Sequence, residues 1–368
     1  MAKEFIYESC VDFPHRYISP KNLFSWLQRN YSDYITIVGN SENGQPIYML
    51  SLGKGLIKVL GWSQMHGNEA NSTHAMVDLL FNLKNQPVLA ANIFDSLQLD
   101  FIFMLNPDGA EKWTRLNAKE IDINRDFHQE RSAEMKVFKK VVAAKKYDYA
   151  LNLHEQRTIF TTDKFYPATL SFLAPSQDYE RTITAQRRQS MAVIVKIFEN
   201  LKELLPNRIA RYSDEFYPHS LGDNLMKAGI PNILFEGGHY EDDYFRKATR
   251  KFYTIALYEA LAAITELRGS EENWEKYEQI PPNKESHYDV IYRHVKLNTD
   301  YECILDVAVQ YREVKREGSE EIEFVPIVTE VGNVSTRKGW REIDCTGKKF
   351  VSQTAFPKVD EEVNFSFE

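Results

Sequence analysis

Between residues 34 and 267, short apolar runs alternate with longer segments of helical period, and this alternation constrains the fold more than any other feature of the chain. Strand candidates cover residues 34–38, 47–52, 55–62, 97–105, 149–153 and 233–235, and helix candidates cover 70–83, 133–146, 179–205 and 243–267. Such a pattern builds a mixed, largely parallel sheet sandwiched by helices, an α/β fold. Ligands of sheets of this kind sit outside the carboxyl ends of the strands. His66, Asn106, His154 and Glu236 each follow directly on a strand candidate, so the expected topology gathers four polar residues along one edge.

The texture changes near Arg268. Residues 269–285 are polar, contain Pro281-Pro282, and read as a linker. Residues 286–368 show period-two alternation without helical stretches, as in Asp289-Val290-Ile291-Tyr292-Arg293, and predict a small antiparallel all-β domain. The expected plan is therefore a larger domain over 1–268, a linker over 269–285 and a β-domain over 286–368.

Composition narrows the possible partners. A net charge of -8 argues against nucleic acid, which calls for a basic face. No apolar stretch reaches the length of a membrane span. Residues 1–8 lack a cationic region followed by an apolar core, and Cys10, Cys303 and Cys345 are scattered. Both observations lead us to expect a cytoplasmic protein.

The residues ending the strands carry metal chemistry. His66-Gly67-Asn68-Glu69 supplies an imidazole and a carboxylate within one glycine-containing loop. A catalytic zinc takes three protein ligands and leaves one position open, and His154 on another strand is the available third ligand. Glu236 is placed to act as a general base and then as an acid. Arg115 and Arg125, downstream of the turn Asn106-Pro107-Asp108-Gly109, suit carboxylate binding and oxyanion stabilisation.

Taken in order and spacing, His66-Gly67-Asn68-Glu69, Asn106-Pro107-Asp108-Gly109, Asn124-Arg125, His154 and Glu236 resemble the zinc carboxypeptidases. The resemblance runs from about residue 17 to residue 267. It implies one zinc per chain on His66, Glu69 and His154, with Glu236 as general base and acid. It also implies that Arg115 polarises the scissile carbonyl while Asn124 and Arg125 hold the substrate's terminal carboxylate. The implied activity is hydrolysis of the C-terminal peptide bond of a peptide through a zinc-activated water. The short interval between Glu69 and His154 looks more like the compact bacterial branch with its murein-peptide amidases, and like the aspartoacylase and succinylglutamate desuccinylase relatives. The alternative is thus a zinc amidohydrolase acting on N-acyl amino acids or murein peptides.

Two departures from the family pattern carry expectations of their own. Asp126 stands where Asn is usual and Glu155 where a small Ser is frequent, and both are expected to add negative charge near the metal and weaken carboxylate binding. Glu155 is also the reserve candidate for the base. Tyr212 and Tyr217 both lie where the family's substrate-capping tyrosine would fall, and sequence does not choose between them. His74, His219 and His239 are left unassigned.

Overall fold

The computed structural model describes residues 5–162, 165–298 and 303–368; Met1 to Glu4, the start of the segment without a cationic region, lie outside the described residues. Two compact units result: Met1–Gln156 with Thr162–Asn283, and Arg157–Thr161 with Lys284–Glu368.

Elements of the first unit run α1 (Pro20–Tyr31), β1 (Ile35–Asn40), β2 (Pro46–Leu52), β3 (Ile57–Trp62), α2 (Asn71–Asn85), α3 (Pro87–Phe94), β4 (Leu97–Phe103), α4 (Pro107–Lys112), α5 (Ala133–Ala144) and β5 (Tyr149–Glu155). After β6 (Ile159–Thr161), which belongs to the second unit, come β7 (Leu170–Leu173), α6 (Ala185–Leu201), β8 (Ile209–Arg211), α7 (Leu221–Lys227), β9 (Asn232–Gly237) and α8 (Lys247–Leu267). The eight strands form one sheet in the order β1-β2-β4-β3-β5-β9-β7-β8. Its centre, β4-β3-β5-β9, is parallel, while β2 joins β4 and β7 joins β9 antiparallel. The expected α/β sandwich is therefore what forms.

Burial of both sheet faces explains why the central strands are apolar throughout. On one face Leu60, Trp62, Ile102 and Ala150 pack with Met135 and Phe138 of α5 and Leu221 and Leu225 of α7. On the other, Phe235 stacks on Tyr253 of α8, with ring centres 5.8 Å apart.

Local capping sets where the helices begin. Helix α6 starts at Ala185 rather than at residue 179, because the Thr184 side chain accepts the Arg187 amide and fixes the first turn there. Helix α8 starts at Lys247 because Asp243 does not join it. The Asp243 carboxylate instead accepts the amides of Lys247, Ala248 and Thr249 at 2.7, 2.8 and 3.1 Å.

The second unit holds β10 (Lys284–Lys296), β11 (Ile304–Lys315), β12 (Ile322–Gly332), β13 (Lys338–Asp344), β14 (Phe350–Ser352) and β15 (Phe365–Phe367). Val290, Val307, Val309, Val328 and Phe350 form its core, lined by Tyr292, Phe365 and Phe367. Two expectations need correction. The domain is not purely antiparallel, since β13 crosses over to run parallel to β10. It also recruits β6, from the middle of the first unit's sequence, as a partner for β10. Nor is 269–285 a bare linker: a 3₁₀ turn at Trp274–Gln279 buries Tyr277, whose hydroxyl accepts the Ala174 amide at 3.2 Å within the first unit.

Candidate metal centre

Two loops at the carboxyl edge of the sheet lock together, and that interlock explains the motif residues. Gln64 after β3 and Met104 after β4 both adopt left-handed backbone, with φ of 45° and 51°. The Leu105 and Asn106 amides then donate to the carbonyls of Ser63 and Gln64 at 2.9 and 3.0 Å. A Cβ on Gly67 would fall 2.0 Å from the Gly109 carbonyl carbon, so the backbones of the two motifs approach as only glycine permits. Asn106 caps α4 by accepting the Gly109 amide at 2.9 Å, and its Nδ2 donates to the carbonyls of Met65 and Arg115 at 3.4 Å. Asp108 is buried and accepts from Ser41, the Asn43 amide and Gln45. The Asn-Pro-Asp-Gly segment is thus a brace that holds the His66 loop, the β1–β2 turn and the Arg115 loop in one block.

The three sequence-predicted ligands converge. One potential donor atom from each of His66, Glu69 and His154 lies within 4.8 Å of the others. Glu69 Oε1 lies 2.8 Å from His66 Nδ1, and Glu69 Oε2 lies 3.0 Å from His154 Nδ1. All three residues are buried. Two imidazoles and one carboxylate, turned on one another and shielded from water, form a donor set that fits a divalent cation of intermediate softness.

Arg115 reaches the same point, with Nη1 lying 3.3 Å from His66 Nδ1 and 3.7 Å from Glu69 Oε1. Asp122, to which the sequence analysis gave no role, ties these groups together. Its Oδ2 accepts from Arg115 Nε and Nη2 at 3.1 and 3.0 Å, and its Oδ1 lies 3.3 Å from His66 Nε2. The same Oδ1 accepts the Asn124 amide at 2.9 Å. Burial works against the Asp122 charge, yet His66 and Arg115 together hold its carboxyl well below the usual range. A carboxylate on the distal nitrogen of a ligating histidine orients the ring and raises its basicity. The signal was an acid two residues before Asn124-Arg125.

Glu236 pairs in register with His154 across β5 and β9, so both side chains leave the sheet on the same face. Burial, and then the neighbouring Glu69 carboxylate, push its carboxyl well above the usual range, with Arg115 opposing.

Asn124, Arg125 and Tyr217 form a second cluster. The Asn124 side chain accepts the Leu221 amide at the start of α7 at 3.0 Å. The Arg125 guanidinium is exposed and lies 5.3 Å from the Tyr217 ring centre. Tyr217, not Tyr212, is therefore the tyrosine beside Arg125. The Tyr212 amide instead donates to Phe172 at 2.8 Å, continuing the β7–β8 pairing.

Both expectations about added charge need correction. Asp126 is consumed structurally, accepting the Arg131 and Ser132 amides at 3.1 and 2.8 Å before α5. Glu155 leaves β5 on the face opposite His154 and accepts from Arg16 and from the Asn71 amide, which removes it as a candidate base. The histidines left open also find places: His74 Nε2 lies 3.3 Å from the Arg16 carbonyl, His239 Nε2 lies 2.8 Å from Arg246 Nη2, and His219 sits edge-on to His128.

Comparison with known proteins agrees with this architecture. The family model described as zinc carboxypeptidase matches residues 21–143. The fold is similar to that of a metallo-carboxypeptidase from Burkholderia cenocepacia (TM-score 0.53, 16% identity, 67% of this chain and 68% of that one). It is similar also to bovine thrombin-activatable fibrinolysis inhibitor, solved with a tick carboxypeptidase inhibitor (0.52, 18%, 68% and 96%). A third similar structure is a Pseudomonas aeruginosa metallo-carboxypeptidase in complex with (2-guanidinoethylmercapto)succinic acid (0.52, 14%, 68% and 69%). No curated protein matches in sequence. The first unit thus has the metallocarboxypeptidase fold, and over residues 21–143 the chain resembles the zinc carboxypeptidases in sequence as well.

Proposed function

We propose that the protein is a zinc-dependent metallocarboxypeptidase that removes the C-terminal residue of a peptide. The observation that carries this reading is the convergence of His66, Glu69 and His154, with Glu236 in register beside His154 and Arg115 Nη1 3.3 Å from His66 Nδ1. Zinc held there supplies a Lewis acid that polarises a carbonyl and acidifies water. Desolvation and the nearby Glu69 carboxylate raise the Glu236 carboxyl above its usual range, and a cation held by the trio would oppose that shift. That coupling suits a group that accepts a proton from water and passes it to the leaving amine. Arg115, half exposed and tethered by Asp122, offers Nη1 to the oxygen of a substrate carbonyl.

The exposed Arg125 guanidinium supports the carboxypeptidase reading over the deacylase one. Its neighbour Tyr217 is an exposed aromatic placed to cover a bound C-terminus, and Asn124 holds the arginine's loop against α7. A free carboxylate meets the guanidinium fork in two parallel hydrogen bonds, which an amide cannot form. The test is mass spectrometry of the zinc-loaded protein on paired peptides, one with a free C-terminus and one amidated. Release of a single residue from the free peptide alone is the expected result. Equal cleavage of both, or release only of an acyl group from N-acyl amino acids, would overturn the reading in favour of the amidohydrolase alternative.

A further inference from the structure

Next to the ligating trio, on the other face of β5, a second polar cluster in the first unit is built around Glu155. Arg16, in the segment before α1, donates from Nη1 to Glu155 Oε2 at 3.1 Å, and its Nη2 pairs with Oε1. Arg246, just before α8, brings Nε to 3.6 Å from the same Oε1. Arg16, Glu155 and Arg246 are all buried, at 3%, 2% and 2% exposure. Two buried cations on one carboxylate are costly to assemble, and such pairs persist only where geometry and further hydrogen bonds satisfy them.

Those further bonds lead to the metal loop. Glu155 Oε2 accepts the Asn71 amide at 3.0 Å, the first helical residue of α2 and two residues after Glu69. An anion at this point also complements the helix dipole. The Glu155 amide donates to Glu69 Oε2 at 3.2 Å. Glu155 therefore joins the strand carrying His154 to the loop and helix carrying Glu69. Arg16 is itself held from two directions: its carbonyl lies 3.3 Å from His74 Nε2 on α2, and its guanidinium lies 5.3 Å from the Trp113 ring, two residues before Arg115. Tyr17 meets Trp113 edge-on, with ring centres 6.0 Å apart.

We propose that Arg16 is a positioning residue for the metal centre: by pinning the Glu155 carboxylate to the start of α2, it keeps Glu69 and His154 in register for the cation. The role rests on the metal site described above. It accounts for a glutamate beside a ligand, where a small residue would avoid the extra charge.

The test is zinc affinity of the apo protein, measured by competition with a chromophoric chelator. Arg16→Met is expected to weaken zinc binding by about ten- to hundredfold, the usual range for groups that orient ligands. Arg16→Lys should lose less, because lysine returns the charge without the fork. In a Glu155→Gln background, Arg16→Met should cost less than about threefold, since the group it acts through is already changed. Wild-type affinity in folded Arg16→Met, even with a lowered Tm, would overturn the role, and so would an equal loss in both backgrounds. If Arg16→Met does not fold, Arg16→Lys alone and in the Glu155→Gln background decides by the same criteria. His154→Ala separates the two layers. Retained zinc in that variant removes the metal site itself, whereas zinc lost there but unaffected by the Arg16 variants removes only the inference.

Discussion

Strands β5 and β9 lie side by side and carry carboxylates of opposite fate near their carboxyl ends. At the end of β5, Glu155 is buried between Arg16 and Arg246 and accepts the Asn71 amide. At the end of β9, Glu236 faces the ligating trio, and its strongest carboxylate neighbour is Glu69. One acid is compensated on every side and serves as a clamp. The other has its charged form opposed by desolvation and by the Glu69 carboxylate. Strand alternation and register alone separate them, since Glu155 and His154 leave β5 on opposite faces while His154 and Glu236 leave on the same one.

The largest effect should come from exchanging these roles by mutation. Glu236→Gln is expected to lower turnover by roughly two to four orders of magnitude, as removal of a positioned acid-base group does, while the fold and zinc content persist. Glu155→Gln should keep a working base, so its turnover at saturating zinc should fall far less. Steady-state kinetics on a free-carboxylate peptide compares the two, and equal losses would erase the distinction.

Asp223 on α7 is an intermediate case that sharpens the comparison. Burial raises its carboxyl from 3.8 to about 6, although it accepts the Tyr217 amide and feels Arg125. Because the folded value lies above the unfolded one, the stability associated with the protonated acid is complete below about pH 3.8. It is lost as pH rises through about 6. The charged form then costs on the order of 3 kcal/mol. Asp223→Asn should therefore gain stability over wild type progressively between pH 4 and 7. Chemical denaturation at several pH values measures this, and a difference that shrinks with rising pH would contradict it.

The smallest expected effect lies at the substrate wall. Arg125→Ala should lose most of the preference for a free over an amidated C-terminus, worth about 2 kcal/mol for a charge-assisted hydrogen-bonding group. Comparing kcat/KM for the two peptides in wild type and variant checks this. Undiminished discrimination in the variant would assign the carboxylate to another group.

Much of this site was legible in sequence because strand ends announce themselves. A buried parallel strand is a run of apolar residues, so a polar residue near its carboxyl end, as at His66, His154 and Glu236, is conspicuous. The short strands β7 and β8 carry too few residues for a periodic signal; helix α1 does carry one, in Leu23, Phe24, Leu27 and Tyr31, and it lies ahead of the alternating region on which the fold expectation rests. The role of Asp122 depends on a fold that brings it under His66. The role of Arg16 depends on contact with Glu155 across 139 residues of chain, which no local pattern encodes. Asp126 and Glu155 were misjudged for a related reason. Adjacency to a ligand within a strand puts the side chain on the opposite face, as for Glu155, and sequence does not show which amides and cations wait there.

The metal centre carries the proposed activity, and zinc analysis of the purified wild type, Glu236→Gln and His154→Ala proteins tests it. About one zinc per chain in the first two and a severe loss in the third is the predicted result, since a catalytic zinc needs its third protein ligand. Zinc retained in folded His154→Ala, or absent from wild type under zinc-replete conditions, would contradict it.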